Sequence, residues 1–528
     1  MSPDEFFQSD HWLASTKSFH LMGQQAFTGI GFDIEGACRL RDRITGMMTE
    51  IENEVEPKLP PRPLNKGELK EYCIPAKPWK KDGTLSSTFE KWMEKVGAKL
   101  YTQRDIKIGD EVFPIVGGTE TITTGVMRLG NQDAIKEWLL AQGWEPTIWN
   151  FKKDARGKPV RDEKNQLILT SPKFHDKGVL CPNLEAMEGD LVKDVVKWLS
   201  LRNRKSVIIG SKEDKGWLVN ERLNFDGRLS AGSSGITPTS RQKHVTICNI
   251  PKAEDGVLLG KEMRSLFIAK RPGYILVGYD ASALENRVEA HYCYPYPGGK
   301  EHAEEILNGD PHTKNAFKAF YTEELADLNL SIDMEGIKEH PVFKPFRSKS
   351  KNGRYALAYG AQGPKLAATL GKPKNQGQAI FDAFWDANPA LKALKEKITL
   401  FWETKGDKKW IPGIDGRRVQ CRSKHSIVNY LFQSCGAIAM DYSMLYMDKW
   451  LGGIKLDKDG YPCYVYKDSE VYRCIYNHDE YLWEVPEHLT VEIGEMGVRS
   501  IESAGRMLKM RVPLTGEYKV GSSWASTH

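Results

Sequence analysis

The stretch that decides the fold runs from Tyr274 to Arg287 and reads YILVGYDASALENR. Its first half is an apolar run of strand length that ends at Asp280, and its second half has a pattern suited to a helix. The Asp280 carboxylate is therefore predicted at the C-terminal end of a strand, a rigid position suited to a metal ligand. The alternative is that Asp280 caps the N-terminus of the helix, where aspartate is common without any chemistry.

A second acidic stretch, residues 471–485, reads VYRCIYNHDEYLWEV. Two strand-like runs flank the polar residues 477–480, so the stretch predicts a hairpin with adjacent carboxylates at its turn. Asparagine and aspartate are also ordinary turn formers, so a surface hairpin without function is the alternative. Strand-borne carboxylates from distant parts of a chain, here Asp280 and Asp479, are what a two-metal phosphoryl-transfer site requires, with the ions about 4 Å apart. Oxygen ligands favour Mg²⁺ over zinc.

The third and most specific pattern lies within FRSKSKNGRYALAYGA, residues 346–361. Arg347, Lys351, Tyr355 and Tyr359 recur every four residues, so on a helix they form one stripe of two cations followed by two aromatic rings. Such a stripe can hold a triphosphate with its cations and stack a base on Tyr355. The alternative, a solvated basic face opposite buried aromatics, fits poorly because the cations and the rings share one face.

Composition excludes several classes of protein. The chain has 528 residues, of which 40% are hydrophobic and 27% charged, so wholesale disorder is excluded. A chain of this length has room for roughly three or four domains. No apolar run approaches the roughly 18 residues that a membrane span needs, and no membrane association is expected. The nine cysteines include no Cys-x-x-Cys pair, which favours reduced thiols in a cytosolic protein. A net charge of +5 does not by itself indicate a polyanionic partner.

The N-terminal part of the chain alternates between helical and irregular patterns. Residues 23–55 predict two helices broken near residues 29–31, and residues 131–142 and 189–200 predict helices that fold back on this arm. Between them, residues 57–125 are rich in proline and lysine, which indicates an insertion or a flexible subdomain.

Taken in order, three motifs resemble motifs A, B and C of family A DNA polymerases. They are Asp280-x4-Glu285-x-Arg287, the Arg-Lys-Tyr-Tyr-Gly stripe that ends at Gly360, and His478-Asp479-Glu480. Three further stretches are similar to the replicative polymerases of T7-like phages in particular: EILNGDPHTKN (305–315), DGRRV (415–419) and HSIVNYLFQSCGA (425–437). These matches extend from about residue 225 to the C-terminus, and residues 23–225 resemble the family's thumb more faintly.

The resemblance implies an α+β right-hand polymerase fold with an antiparallel-sheet palm, helical fingers and a helical thumb. Residues 1–225 would form an N-terminal segment and the thumb, with the basic, proline-rich insertion at about 57–125. The palm would comprise residues 226–292 with motif A and residues 429–528 with motif C. The fingers, with motif B, would be residues 293–428.

The same resemblance implies the catalytic residues. Asp280 and Asp479 would hold two Mg²⁺ ions, with the carbonyl of Ala281 as a further ligand and Glu480 close by. Their role would be to align the primer 3′-OH with the α-phosphate of a dNTP and to absorb the charge that develops.

Other residues would bind the substrates. Arg347, Lys351 and His312 would hold the incoming triphosphate, Tyr355 would lie beside its sugar and base, and Glu285 would occupy the space that a ribose 2′-OH needs. Contacts to the primer-template, chiefly in the minor groove, would come from Arg241, Asn429, Gln433, His478 and Tyr359. Arg241 lies in Thr-Ser-Arg (239–241), where the family usually has Thr-Gly-Arg.

T7-like polymerases carry an N-terminal 3′–5′ exonuclease domain, and here the thumb-like helix begins near residue 23. An exonuclease-deficient chain is therefore expected, with proofreading absent or supplied by a separate subunit. Asp33-Ile34-Glu35 imitates the Asp-x-Glu of exonucleases, but Asp33 is interpreted as the N-cap of the thumb helix. The insertion at 57–125 falls where these relatives bind a processivity factor; the alternative is a mobile loop that attracts the DNA backbone by charge.

Template-directed DNA synthesis during phage replication, in the cytoplasm of a bacterial host, is the leading hypothesis. A single-subunit RNA polymerase or primase is a second, and Glu285 argues against it because a carboxylate there should exclude ribonucleotides. An inert DNA-binding protein of polymerase shape is a third, and the presence of both Asp280 and Asp479 argues against it. A metal-dependent nuclease that uses Asp33 is a fourth.

Overall fold

The computed structural model describes residues 11–163, 166–176, 178–185, 187–210, 215–254, 256–358, 360–405 and 409–527. The chain forms two compact units, one comprising Met1–Asp42 with Arg204–His528 and the other Arg43–Asn203. In this described part of the chain, no helix is both long enough and apolar enough to cross a lipid bilayer.

The α-helices of the described residues are, in chain order, α1 (His11–Thr28), α2 (Ile34–Val55), α3 (Lys66–Glu71), α4 (Ser87–Val96), α5 (Gln132–Ala141), α6 (Pro182–Glu185), α7 (Asp190–Ile209), α8 (Glu221–Asp226), α9 (Gly260–Ser265), α10 (Leu284–Cys293), α11 (Gly299–Asn308), α12 (Pro311–Asn315), α13 (Thr322–Asp327), α14 (Lys344–Ala358), α15 (Gly363–Leu370), α16 (Gly377–Ala387), α17 (Pro389–Glu403), α18 (Ile427–Trp450) and α19 (Thr490–Met507).

The strands are β1 (Ile30–Phe32), β2 (Arg62–Pro63), β3 (Lys99–Leu100), β4 (Asp105–Ile108), β5 (Glu111–Pro114), β6 (Thr124–Gly125), β7 (Trp149–Phe151), β8 (Leu169–Pro172), β9 (His175–Asp176), β10 (Val179–Leu180), β11 (Arg228–Leu229), β12 (Gly232–Ile236), β13 (Gln242–Val245), β14 (Phe267–Ile268), β15 (Tyr274–Ala281), β16 (Trp410–Pro412), β17 (Arg418–Gln420), β18 (Lys455–Leu456), β19 (Pro462–Tyr466), β20 (Ser469–Asn477), β21 (Glu480–Pro486) and β22 (Gly516–Gly521).

A six-stranded antiparallel sheet forms the centre of the first unit, in the order β18-β19-β20-β21-β15-β22. Strand β15 lies between β21 and β22, so the strand predicted from Tyr274 onward is confirmed and is paired on both sides. Its sequence suits this place because four consecutive residues, 276–279, are buried. A strand paired on both sides cannot slide without breaking two hydrogen-bond ladders, which fixes the position of its last residues.

Helices α18 and α19 pack together, and α19 also packs against strands β15 and β22. The approach of α19 to the sheet is close: a Cβ atom on Gly497 would lie 2.4 Å from Cδ1 of Tyr279. The Tyr279 ring stacks on Tyr481 in the neighbouring strand, with 5.0 Å between ring centroids. A side chain larger than glycine at position 497 would therefore push the helix away from the strand that carries Asp280.

The C-terminal residues of the described chain pack against the same sheet. The short helical turn Trp524–Thr527 contacts β15, and a Cβ atom on Gly278 would lie 2.8 Å from Cβ of Thr527. Because side chains alternate along a strand, Gly278 and Asp280 face the side of the sheet opposite to Tyr279. The C-terminal turn and Asp280 therefore share one side of the sheet.

Helices α11 to α17 occupy the part of the chain predicted as fingers. Helix α14 covers the stripe of motif B from Arg347 to Tyr355, so the predicted helix is confirmed over those residues. It is anchored by packing against α12 and α15. The division into thumb, palm and fingers at residues 225, 292 and 428 stays a prediction.

The second unit begins within α2 and ends within α7. The Trp198 indole on α7 donates a hydrogen bond of 2.9 Å to Glu52 on α2, so the predicted return of the chain onto the arm is confirmed. The predicted break in the arm is also confirmed, since β1 separates α1 from α2. The insertion is a folded subdomain, because a buried apolar core joins Ile74 and Phe89 to β4.

Candidate active site at the end of the central sheet

Strand pairing brings the two predicted metal-binding aspartates together. Asp280, in β15, lies directly opposite Glu480, the first residue of β21. The Ala281 N–H donates a hydrogen bond of 3.0 Å to the carbonyl of Asp479. The two aspartates therefore come from distant parts of the sequence and meet at one end of the sheet.

A two-residue turn carries Asp479. Asn477 pairs with Glu480, so His478 and Asp479 alone connect β20 to β21, and the predicted hairpin is confirmed. His478 has a φ of 63°, in the left-handed region that histidine tolerates better than most residues. The turn leaves the Asp479 side chain exposed beyond the sheet.

The alternative reading of Asp280 as a helix cap is wrong. Helix α10 begins at Leu284, and the residue at its N-cap position is Ala283, whose φ is 50°. Asp280 is the last but one residue of β15, and three residues separate it from the helix. Asp33, by contrast, is a cap as interpreted, because the Gly36 N–H donates a hydrogen bond of 2.8 Å to its Oδ1 atom.

Negative charge is crowded around Asp280. Burial raises the pKa of Asp280 to about 6, and the carboxylates of Glu517 and Asp479 add to the shift while Lys519 opposes it. Glu517 lies directly opposite Asp280 on β22. Sequence reasoning missed Glu517, although the alternation of GEYKVG (516–521) is a signal of a strand with charged residues on one face.

Glu480 has partners within the chain. Its buried carboxylate accepts a hydrogen bond from the Trp524 indole, and Arg264 Nη1 lies 3.6 Å from Oε2. The Arg264 guanidinium in turn lies 4.4 Å from the centre of the Trp524 ring. Burial raises the pKa of Glu480 to about 7, and Arg264 and Trp524 oppose that shift. Neither Arg264 nor Trp524 was predicted as part of the site.

The donors at this end of the sheet suit Mg²⁺. Among the described residues, no group of three or more histidine, cysteine, aspartate or glutamate side chains is arranged to hold a metal ion. Mg²⁺ is commonly bound by one or two carboxylates together with water and substrate phosphates, so the pair Asp280 and Asp479 fits it. The raised pKa of Asp280 agrees with this fit, because a bound cation would offset both the burial of the carboxylate and the negative charge of its neighbours.

Helix α14 presents the predicted triphosphate-binding cations. Arg347 Nε donates a hydrogen bond of 2.6 Å to Oδ2 of Asp310, and Lys351, one turn later, is exposed. Asp310 also accepts from the Thr313 hydroxyl at 2.6 Å. These partners outweigh burial and lower the pKa of Asp310 to about 2. The sequence predicted neither a role for Asp310 nor its pairing with Arg347.

His312 lies beside the same helix. Its backbone carbonyl accepts a hydrogen bond of 2.7 Å from Ser350, and its ring centroid lies 6.1 Å from that of Tyr355. Burial, followed by the positive charge of Arg354, lowers the pKa of His312 to about 4, so its ring is neutral near pH 7. The Nδ1 atom of this ring is buried without a hydrogen-bond partner among the described residues.

One pocket collects the other predicted substrate contacts. Glu285, Tyr355, Asn429 and Gln433 line it. Its lining also includes Asn286, Glu289 and Arg354, which sequence reasoning did not select, and the apolar residues Leu357, Phe384, Trp385, Leu391, Val428 and Phe432.

Arg241 connects this pocket to the end of the sheet. Its Nη2 atom lies 3.6 Å from Oε1 of Glu285. Burial raises the pKa of Glu285; Arg241 opposes the shift, and Asp479 adds to it. The His478 ring lies 5.0 Å from that of His244. Burial, followed by His478 and Arg241, lowers the pKa of His244.

The structure thus brings most predicted site residues into one region of the first unit. In the described part of the chain, no ion pair joins Arg347 or Lys351 to Asp280 or Asp479. The cations on α14 and the acidic residues of the sheet are therefore separate groups. Tyr359 lies outside the described residues.

Comparison with known proteins gives consistent results. The family model described as DNA polymerase family A matches residues 183–526. The DNA-directed DNA polymerase of Escherichia phage T7 is 29% identical over 435 residues, 76% of this chain and 53% of that protein. The corresponding protein of Enterobacteria phage T3 is 28% identical and is covered to the same extent, so the chain spans about half the length of these two curated relatives. That of Escherichia phage Phieco32 is 25% identical over 87% of this chain and 80% of its own length.

Among solved structures, the chain is similar to the POL domain of Pol1 from M. smegmatis in complex with DNA primer-template and dNTP. The TM-score is 0.57 with 16% sequence identity, and the match covers 97% of this chain and 70% of that chain. At this identity the likeness concerns the fold alone, and it confirms the predicted right-hand fold with its mixture of helices and sheets.

Proposed function

Because the chain belongs to DNA polymerase family A, we propose that it extends a primer by template-directed addition of dNTPs. The observation that carries the proposal is the pairing of β15 with β21, which places Asp280 beside Asp479. In the reaction, the primer 3′-oxygen forms a bond to the α-phosphorus as the bond to the pyrophosphate oxygen breaks. Positioning and charge stabilisation are the main contributions a protein can make to such a transfer.

Asp280, Asp479 and the carbonyl of Ala281 would hold two Mg²⁺ ions. When bound, these ions would favour the ionised 3′-hydroxyl and neutralise charge on the leaving pyrophosphate. Glu480 would support these ligands indirectly, because its own carboxylate is held by Arg264 and Trp524. The backbone ladder contributes rigidity, since neither aspartate can move without disturbing the pairing of β15 and β21.

Arg347, Lys351 and His312 would bind the triphosphate of the incoming dNTP. Arg347 is already paired with Asp310 and would share its guanidinium between that carboxylate and the phosphates. Neutral His312 would contribute a hydrogen bond rather than a charge. These residues lie on or beside α14, so movement of that helix would bring the nucleotide toward the acidic residues.

Glu285 and Tyr355 would select the sugar. Both line the same pocket, and Arg241 approaches the Glu285 carboxylate. A carboxylate in this place would leave no room for a ribose 2′-OH, so ribonucleotides would be rejected by exclusion. Tyr355 would stack beside the base and sugar.

The primer-template would contact Arg241, Asn429, Gln433, His478 and Tyr359. Asn429 and Gln433 lie one turn apart on α18 and line the pocket that holds Glu285. Amides and guanidinium groups suit the minor groove, because its acceptors are shared by all base pairs and permit binding without sequence preference. We assign the chain to phage genome replication in the cytoplasm of a bacterial host, on its similarity to the phage polymerases.

The insertion would increase the number of nucleotides added per binding event. Its exposed lysines, including Lys80 and Lys81, lie close in sequence to the exposed Trp79, and Leu100 and Tyr101 are exposed as well. Lysines would attract the DNA backbone, and the apolar side chains would suit a processivity factor. Deleting residues 57–125 should shorten products without changing single-nucleotide addition, and unchanged product length would remove this role.

Proofreading would not come from Asp33, because its side chain caps α2. Primer extension from a matched and a mismatched terminus, with and without dNTPs, tests synthesis and hydrolysis together. We expect extension with dNTPs and little addition of NTPs. Any shortening of the primer should be the same in the unaltered protein and in Asp33→Ala. Failure to extend a matched primer with Mg²⁺ and dNTPs would refute the proposal, and Asp33-dependent shortening would favour a nuclease or a proofreading enzyme.

A further inference from the structure

Arg354, Glu289 and His302 form a buried network of charged and polar side chains next to Tyr355. Arg354 Nη2 donates a hydrogen bond of 2.5 Å to Oε1 of Glu289, and His302 Nε2 lies 2.9 Å from the same oxygen. The Arg354, Glu289 and His302 side chains are 7%, 10% and 5% exposed. The network joins three helices, since Glu289 is on α10, His302 on α11 and Arg354 on α14.

The Glu289 carboxylate stays ionised despite burial. Burial alone would raise the pKa of Glu289, but Arg354, followed by His302, lowers it to about 2. Glu289 is therefore ionised near pH 7. Buried ion pairs contribute little net stability compared with apolar residues of similar size, so their presence calls for another explanation.

The pairing of Arg354 is incomplete. Its Nε atom is buried and has no hydrogen-bond partner among the described residues. A guanidinium placed only for stability would be expected to satisfy its donors, because an unmade hydrogen bond in a buried site is costly. The pairing of Arg354 with Glu289 therefore leaves one buried donor of the guanidinium unsatisfied.

The network is adjacent to both residues assigned to the sugar. Glu289 follows Glu285 by one helical turn on α10, so the two carboxylates lie on the same side of that helix. Arg354 immediately precedes Tyr355 on α14. All four side chains line one pocket. The ion pair between Glu289 and Arg354 therefore spans the same two helices that carry Glu285 and Tyr355.

We propose that Glu289 and Arg354 are positioning residues that set the spacing between the Glu285 carboxylate and the Tyr355 ring, and thereby the selectivity for deoxyribose over ribose. The inference rests on the proposed function and deepens it. The pair acts through Glu285 and Tyr355, its neighbours in the wall of the same pocket. His302 supports it by fixing the orientation of the Glu289 carboxylate from a third helix.

Replacing both charged residues by apolar ones separates positioning from folding. Removing one partner would leave an unpaired buried charge, whereas replacing both by apolar side chains of similar volume is often tolerated. The test variant is therefore Glu289→Leu with Arg354→Met. A control with the same apolar replacements is Glu324→Leu with Lys372→Met, which removes a more exposed ion pair between α13 and the residues that follow α15. Neither control residue lines the pocket.

Each protein is assayed for single addition of a dNTP and of the matching NTP, with separate kcat and KM values, primer-template affinity and thermal unfolding. We expect the test variant to bind primer-template as the unaltered protein does and to lose at least about tenfold in dNTP over NTP selectivity, mainly through KM. The control should keep its selectivity. Wild-type selectivity in a folded test variant would overturn the proposal.

A single variant, Arg354→Lys, guards against misfolding of the double one. It keeps a cation beside the Glu289 carboxylate, so no buried charge loses its counter-charge, and it removes the guanidinium that spans the two helices. It should lose selectivity in the same direction. If both variants fail to fold while the control folds, the network serves stability alone and the proposal is wrong. Inactivity of the unaltered protein with dNTPs would instead refute the proposed function, so the two failures are distinguishable.

Discussion

The acidic end of the central sheet and the basic stripe of α14 hold their charges in opposite ways. At the acidic end, formed by Asp280, Asp479, Glu480 and Glu517, burial and then the neighbouring carboxylates raise the pKa of Asp280 to about 6. On the basic stripe, formed by Arg347 and Lys351, Arg347 is paired with Asp310 and the pKa of that carboxyl falls to about 2. Glu480 is paired with Arg264, but Asp280 is compensated only in part, by Lys519. Arg347, by contrast, has a carboxylate partner at hydrogen-bond distance.

The difference indicates what each group needs from outside the chain. A carboxylate with a raised pKa gains from a bound cation, so the acidic end suits metal ions. An arginine that already has a carboxylate partner is held in a fixed orientation, and the phosphates of a nucleotide must share it. Backbone pairing positions the first group, and side-chain pairing positions the second.

Removing a charge at the acidic end should change the rate of synthesis more than any other substitution considered for the two regions. Asp280→Asn and Asp479→Asn should each lower the rate of primer extension by at least about 100- to 1,000-fold, because the charge-stabilising site is lost while its shape is kept. Primer-template binding, measured by anisotropy, should change little.

Asp468→Asn is a matched control for these variants. Asp468 is also the second residue of a two-residue hairpin turn in the same sheet, between β19 and β20. The Asp468→Asn variant should extend primers at the rate of the unaltered protein. Substantial synthesis by either Asp280→Asn or Asp479→Asn would show that the acidic end does not need its negative charges for catalysis, and the contrast with the basic stripe would be lost.

A smaller effect is expected on the basic stripe. Arg347→Ala should raise the KM for dNTPs about 10- to 100-fold, since a hydrogen bond to a charged group contributes about 1.5–3 kcal/mol. Lys349→Ala removes a cation from another face of the same helix and should leave KM nearly unchanged. Steady-state kinetics would check both, and equal effects of the two variants would show that total charge matters and the stripe does not.

The smallest effects, on stability, test the contrast in pKa directly. An acid whose native pKa is raised loses stability as the pH rises through that value, so without metal Asp280→Asn should stabilise the protein by about 2–3 kcal/mol above pH 7. This gain should shrink below about 1 kcal/mol at pH 4. Because the pKa of Asp310 is lowered, Asp310→Asn should destabilise by about 2 kcal/mol at both pH values.

Chemical denaturation in EDTA would measure these differences in free energy of unfolding. The prediction requires opposite signs for the two substitutions near pH 7 and a pH dependence for Asp280→Asn alone between pH 4 and pH 7. Substitutions with the same sign would mean that the two regions do not differ in the way their charges are held.

The parts of the site that sequence predicts are those with a local pattern. The strand that ends near Asp280, the hairpin that carries Asp479 and the helix that carries Arg347 each follow from periodicity and turn chemistry within about 15 residues. Their meeting at one site followed from the family resemblance, since no local pattern indicates which strands pair.

The features that sequence did not predict are long-range partnerships. Glu517 meets Asp280 only through the register of β22, and Trp524 reaches Glu480 from the C-terminal turn. The pair of Glu289 and Arg354 has no characteristic spacing, because it joins two helices far apart in the chain. Such contacts depend on tertiary packing, which a single sequence does not specify by pattern.

If Asp280 and Asp479 hold divalent metal together, the loss of either carboxylate should weaken metal binding. Mn²⁺ binding can be followed by electron paramagnetic resonance in the presence of a dideoxy-terminated primer-template and dNTP. We expect about two ions per unaltered protein and per Asp468→Asn variant, and fewer for Asp280→Asn and for Asp479→Asn. Undiminished Mn²⁺ binding in both of the latter variants would show that the two aspartates do not hold the metal.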